Sequence, residues 1–168
     1  MAKTYLDQLV EYPAQIIQKI CNDKQCVALL VNKPISQVGE SDFDQVLDNC
    51  IFDYQYVDNT VQTSSAYIWV EIEIDSVENK QIKGLHLYVT VSCHKSFMRL
   101  NGNVYPGIMG NRRDNLVRFI DRLLNDKLFM GIGTLKLKTV RTLASVNGFT
   151  AREIIYTVPD FNIVELDE

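Results

Sequence analysis

The stretch AYIWVEIEIDSVENKQIKGLHLYVTVSCH, Ala66 to His94, decides the fold class. In its first part Ile68, Val70, Ile72 and Ile74 alternate with Tyr67, Trp69, Glu71, Glu73 and Asp75, the period of two expected of a strand with one buried face. SVENK makes a turn, and Gly84 to His94 repeats the pattern. Leu85, Leu87, Val89, Val91 and Cys93 take the buried face, and His86, Tyr88, Thr90, Ser92 and His94 the wet one. Two alternating runs joined by a polar turn predict a long antiparallel hairpin over 66–94.

Working outward, a second hairpin is expected over 134–158. Gly131 and Gly133 release the chain into a strand from Thr134 to Leu143, and Asn147-Gly148 is the strongest two-residue hairpin turn in the sequence. In the last strand, Phe149 to Val158, the side chains of Ile154, Tyr156 and Val158 share a face, and Pro159 is expected to stop it, leaving an acidic tail over 159–168. Between the hairpins, NRRDNLVRFIDRLLNDK places Leu116, Val117, Ile120, Leu123 and Leu124 on one helical face. That helix spans 111–126, with Asn111 as its cap and Asp114 in a first turn whose dipole favours an acid.

The N-terminal region is less regular. Leu6, Leu9, Val10, Pro13, Ile16, Ile17 and Ile20 keep the three-and-four spacing of a helix over 4–22, and Pro13 predicts a kink or a second helix starting there. CVALLVN, Cys26 to Asn32, reads as a short buried strand ended by Pro34. From 33 to 65 the pattern fades, and only Asp42 to Cys50 suits a short helical turn. A structureless stretch of that length marks either a segment ordered by a partner or a cover packed by Phe52, Tyr54 and Tyr56. The expected architecture is a single α+β domain: a mainly antiparallel sheet from two hairpins, with the N-terminal and central helices packed on one side.

Composition bounds the function. At 168 residues and 46% hydrophobic, the chain can bury a core without covalent staples. No apolar run approaches the ~20 residues of a membrane span, and MAKTYLDQLVEY is unlike a secretory leader, so a soluble, cytoplasmically made protein is expected. Cys21, Cys26, Cys50 and Cys93 contain no C-x-x-C and read as buried or idle thiols. The net charge of -4 hides a division along the chain. Residues 40–78 hold ten acids and no lysine or arginine, while residues 99–141 hold nine bases against three acids, leaving -10 and +6. Either the two segments neutralise each other within one fold, or opposite faces carry opposite sign, as suits copies meeting head to tail around a ring.

No catalytic or metal motif is complete. His86 and His94 share a strand face, but eight residues at about 3.3 Å separate them by roughly 26 Å, far beyond a common ion. Cys93 adjoins His94 on the opposite face, so no dyad forms. Glu78-Asn79-Lys80 spells part of a metal-dependent nuclease signature, but in a turn, which leaves Glu71, Glu73 and Lys83 as the candidates for a divalent-metal nuclease. The loop YPGIMGNRRDN sets Gly107 and Gly110 before a helix start, without either glycine-rich nucleotide-binding pattern. It reads as a mobile connection in which Tyr105, Ile108 and Met109 suit a protein contact.

The order of elements, with IFDYQYVDNT, VSCHKSFM, GNRRDNLVRFIDRLL, GIGTLKLKTV and REIIYTVPDFN, resembles small structural proteins of the head-tail modules of phages and prophages of Gram-positive bacteria. Within that group the chain looks most like a tail terminator, with neck and head-completion proteins as close competitors. The resemblance implies a non-enzymatic, cofactor-free subunit in a homo-oligomeric ring, typically of six copies, at the head-proximal end of a tail. Such a ring stops tube growth, meets the neck or connector and, in contractile tails, the last sheath ring; the genome passes its lumen. The candidate subunit or ring contacts are Phe52, Tyr54, Tyr56, Glu71, Glu73, Tyr105, Met109, Arg112, Arg113, Arg118 and Arg122. The aromatic run from Phe52 to Tyr56 alternatively suits a module that binds a host factor.

Overall fold

The computed structural model describes residues 5–54, 65–78, 81–129 and 131–164. Both hairpins form, and they join through their second strands. β2 (Ala66–Glu78) pairs antiparallel with β3 (Gln81–His94), and β6 (Lys136–Val146) with β7 (Phe149–Val164). β3 and β7 then pair along nearly their whole length. A two-residue β1 (Ile51–Phe52) runs parallel to the start of β2, giving the order β1-β2-β3-β7-β6. A small two-stranded ribbon, β4 (Leu128–Phe129) with β5 (Gly133–Thr134), precedes β6.

The helices α1 (Tyr5–Cys21), α2 (Lys24–Val31), α3 (Glu40–Asn49) and α4 (Arg112–Leu124) supply the second layer. α1 packs on β2, α4 packs on β3 and β7, and α2 lies against α1, α3 and α4. The alternation read from sequence sets the interface. Ile68, Val70, Leu85, Leu87, Val89, Val91, Cys93, Ile154, Tyr156 and Val158 are buried in one core with Ile16 and Ile20 of α1 and Leu116, Ile120 and Leu124 of α4. Each such aliphatic side chain contributes about 1.5–3 kcal/mol by leaving water. The fold is therefore an α+β sheet with its helices on one side, as expected.

Several local expectations are corrected. Residues 26–32 are not a strand: α2 covers Lys24–Val31, with Cys26, Val27, Ala28, Leu29 and Leu30 all buried. A run buried on every side has no periodicity to distinguish helix from strand, so its ends decide. Asp23 caps the start by accepting the Cys26 N–H at 2.8 Å, and Asn32 closes the end in a left-handed conformation at φ 58°. α1 runs through Pro13 as one helix, with no second start there.

The region from 33 to 54 is also ordered. A 3-10 turn (Ile35–Gln37) and α3 lead into β1, and Val38, Val46 and Ile51 are buried. Lys33 reaches Asp42 at 2.5 Å, and the Gly39 N–H donates to the other carboxylate oxygen of Asp42 at 3.1 Å. The helical turn expected from Asp42 to Cys50 is thus present as the longer α3, whose start local hydrogen bonding by polar residues secures. Residues 55–64, including Tyr56, lie outside the described residues. Residues 79–80, and with them most of the Glu-Asn-Lys triplet, do too.

Pro159 does not end the last strand: β7 continues to Val164. On β3 the partners step from Leu85 to Lys83, while on β7 they step from Val158 to Asn162, so Pro159 falls in a bulge. There its missing N–H costs no ladder bond. Across the bulge Gly84 adopts φ +76°, and a Cβ on it would strike the Asp75 carboxylate.

The face called wet is only partly so. Trp69, Thr90, Ser92, Ala151 and Ile155 are buried on it. The small side chains of the central strand β3 are flanked by large ones on its neighbours. Tyr67 lies opposite Ser92, and its ring meets Phe149 of β7 at 5.7 Å. Phe52 and His94 extend that aromatic band, Phe52 to Tyr67 at 6.3 Å and His94 to Phe149 at 5.0 Å.

Candidate functional site

The sheet order separates the two charged segments. β2, carrying Glu71, Glu73 and Asp75, and β6, carrying Lys136, Lys138 and Arg141, are parted by β3 and β7, roughly 14 Å at strand spacing. α3, with acids in its first turn, sits by β1 on the acidic side. The bases of α4 lie over β3 and β7. Among the described residues, no ion pair joins residues 40–78 to residues 99–141. Asp42 pairs with Lys33 at 2.5 Å and Asp75 with His86 at 3.3 Å. On the basic side Arg113 meets Asp114 at 3.0 Å, Arg141 meets Glu153 at 2.5 Å, and Lys136 meets Asp126. The acids of residues 40–78 and the bases of residues 99–141 thus stay on different sides of the sheet, although Lys136 and Arg141 of β6 each pair with an acid on their own side.

The acidic edge is grooved. β1 covers β2 only at Ile68 and Trp69, and from Val70 onward no described strand pairs with the outer side of β2. Beside this free edge lies a groove of about 460 Å³ with apolar Val10, Pro13 and Ile72 and acidic Asp53, Glu71 and Glu73. Glu71 and Glu73 are exposed. Glu73 accepts a hydrogen bond from Tyr88, which with partial burial pushes the phenol up to about 12. The basic edge is β6, which has no strand on its outer side among the described residues. Nearly every position of β6 is exposed, including the apolar Leu137, Val140 and Val146, the last at 54%. Lys138 Nζ reaches His86 Nε2 at 3.2 Å across the sheet surface.

The remaining candidates divide. Tyr54 is exposed and tilted against Phe52, with ring centres 5.8 Å apart, and Met109 is the most exposed large apolar side chain described, at 86%. Arg118 and Arg122 are exposed on α4 beside Phe119, at 5.0 and 5.9 Å from its ring. Arg122 also lines a cleft of about 540 Å³ between α1 and α4 with Lys19 and Lys127. Arg113 is turned to Asp114 and to Thr150, which it meets at 3.1 Å.

Tyr105 and Arg112 point inward, and their role within the fold was not visible in sequence. Helix ends leave carbonyls without partners, and α2 ends inside the protein. Tyr105 is 1% exposed, and its hydroxyl donates at 2.9 Å to the Ala28 carbonyl, which also accepts the Lys33 N–H at 3.1 Å. Arg112 is 2% exposed, and its guanidinium donates to the Leu29 carbonyl, to Asn32 Oδ1 at 2.6 Å and to the Phe97 carbonyl at 2.8 Å. It also stacks 3.8 Å above the Phe97 ring. A cation at the negative end of α2 is favourable, and the planar fork reaches several carbonyls at once. The loop over 95–110 is thereby fixed to the core rather than mobile, with Phe97, Met98, Leu100, Val104 and Ile108 packed against it.

The nuclease candidates are spread out. Lys83 pairs with Ser76, whereas Glu73 lies opposite His86 and Glu71 opposite Tyr88. Lys83 is thus about three and five residues along β3 from the partners of the two acids, roughly 10 and 17 Å. Among the described residues, no group of three or more His, Cys, Asp or Glu is placed to hold a metal ion. The cysteines Cys21, Cys26, Cys50 and Cys93 are unpaired thiols, and burial pushes Cys21, Cys50 and Cys93 up to about 11.

The sequence model of the YomW family matches residues 23–158. The chain belongs to the YomW family. That name is of Bacillus phage and prophage type, and the chain is phage-associated in that sense. The YomW region begins at the cap of α2 and ends in β7, so it contains both charged edges and the Arg112 cluster. No curated protein matches the chain. Among the described residues no helix is long and apolar enough to cross a membrane.

Proposed function

We propose that the chain is a non-enzymatic structural protein of the virion, a tail terminator-like ring at the head-proximal end of a phage tail. In this reading it halts tube growth and joins the tail to the neck, meeting tube, neck and, in a contractile tail, sheath proteins. The observation that carries it is the persistence of opposite charge on opposite edges of one sheet. A closed ring of identical copies needs two different, complementary patches on each copy, which this arrangement offers. The phage association of the YomW family supports the setting.

The test is the composition of the particle. Mass spectrometry of purified virions should find the chain, and its absence would end the proposal. Particles lacking the chain then separate the two junction roles. Overlong or unjoined tails identify a terminator, and tails of normal length detached from heads identify a neck or head-completion protein.

A further inference from the structure

We propose that neighbouring copies join edge to edge. The outer side of β6 in one copy pairs with the outer side of β2, from Val70 onward, in the next, so that the sheets run on from copy to copy. The inference rests on the ring reading above and names its contact.

Four observations converge on it. First, both edges lack a strand partner among the described residues, and a long edge strand bearing exposed Leu137, Val140 and Val146 invites pairing. Second, the charges choose the partner. Pairing β6 with its own copy would set Lys136, Lys138 and Arg141 against the same bases, and pairing β2 with its copy would oppose Glu71, Glu73 and Asp75. Only β6 against β2 brings opposite signs together. Third, strand sense agrees. From β2 to β6 the strands alternate in direction, so a neighbour placed head to tail presents its β2 antiparallel to β6 and continues the alternation. Fourth, the shapes correspond. The groove beside β2 has an apolar wall of Val10, Pro13 and Ile72 under an acidic rim, and β6 offers apolar side chains between bases.

β1 gives the contact an end. Because Ile51 and Phe52 already occupy the outer side of Ile68 and Trp69, an incoming strand must stop at Val70. The part of β2 without a strand partner among the described residues, about nine residues, is close to the 11 residues of β6, a match of about 30 Å. The opposing view is that the bases of β6 simply guard a bare edge against pairing. The two views differ in what charge reversal does.

The experiment uses the full chain and two variants, Lys136→Glu with Lys138→Glu, and Glu71→Lys with Glu73→Lys, each checked for an unchanged melting transition. Native mass spectrometry and light scattering read the assembly of the 19.2 kDa chain. Wild-type protein should assemble. Each variant alone should need about 10- to 100-fold higher concentration, since attraction at two cross-strand pairs becomes repulsion. Mixing the variants in equal amounts should restore assembly, because the reversed β6 of one then fits the reversed β2 of the other. Wild-type-like assembly of each variant alone overturns the edge contact while leaving a ring built through another surface. Wild-type protein that stays monomeric also overturns it, whereas the virion composition judges the ring reading separately. Stronger assembly of the lysine-to-glutamate variant alone would show that the bases guard the edge.

Discussion

Replacing Arg112 by methionine probes the least obvious support of the fold. The change keeps an apolar stem of similar reach and removes every donor. The Leu29 and Phe97 carbonyls then lose the partner they have in a site where Arg112 is only 2% exposed. Each buried acceptor left unmatched costs about 1–3 kcal/mol, and the lost stacking over Phe97 about 1–2 kcal/mol. Against this stands the relief of a buried cation that has no carboxylate partner among the described residues, a few kcal/mol in the other direction. The expected net loss is about 2–4 kcal/mol. For a chain of this size that lowers the melting midpoint by about 4–16 °C. Arg112→Lys, which keeps the charge without the planar fork, should fall between the two. Urea unfolding followed by circular dichroism, with an unchanged dependence on denaturant, measures the loss. If Arg112→Met proves as stable as the wild type, the guanidinium is not what holds the buried end of α2, and the reasoning from unmatched carbonyls fails.

Three further outcomes follow from particular side chains. Gly148 sits at φ +82° with a prospective Cβ 2.8 Å from His94 Nε2, so Gly148→Ala should lower stability by about 1–2 kcal/mol in the same urea assay. Burial opposes ionisation of Asp114, but Asn111, Arg113 and Arg152 outweigh it and hold its carboxyl below the usual range. A depressed folded value means the stabilisation is complete above about pH 4 and lost as pH falls through the lower folded value, so Asp114→Asn should flatten the acid limb of a stability profile. The thiols of Cys21, Cys50 and Cys93, raised to about 11, stay protonated in the fold; their contribution is present below about pH 8.5 and fades as pH climbs toward 11. At pH 8 a thiol reagent should accordingly label them slowly in native protein and quickly in urea.

The chemistry of the second layer was partly legible in the sequence. Asn111 caps α4 as its position suggested, accepting the Asp114 N–H at 2.9 Å, and Asn147 and Gly148 both take positive φ in the turn they were expected to make. Such features are local: a side chain reaching three residues along, or a backbone angle few residues tolerate, is written in neighbouring letters. α2 shows the opposite case. Its letters are equally apolar on all sides, and its state follows from two capping residues at its ends and from Tyr105 and Arg112, about 77 and 83 residues downstream of the carbonyls they bind.

By itself the sequence determined which residues alternate, and hence two hairpins, a core face and a capped helix over the sheet, because burial on one side imposes a period that composition must obey. It also determined that acid and base are separated along the chain. Only the tertiary structure decided that the hairpins join through β3 and β7, which sends β2 and β6 to opposite edges and turns a separation in sequence into one in space. It likewise decided that Arg112 faces inward with Tyr105 beside it, since the Leu29 carbonyl at a buried helix end needs a donor wherever the chain can bring one. The physical reason is common to both: periodicity and turns are satisfied by neighbours, whereas unpaired edges and unmatched carbonyls are satisfied by whatever the completed fold places beside them.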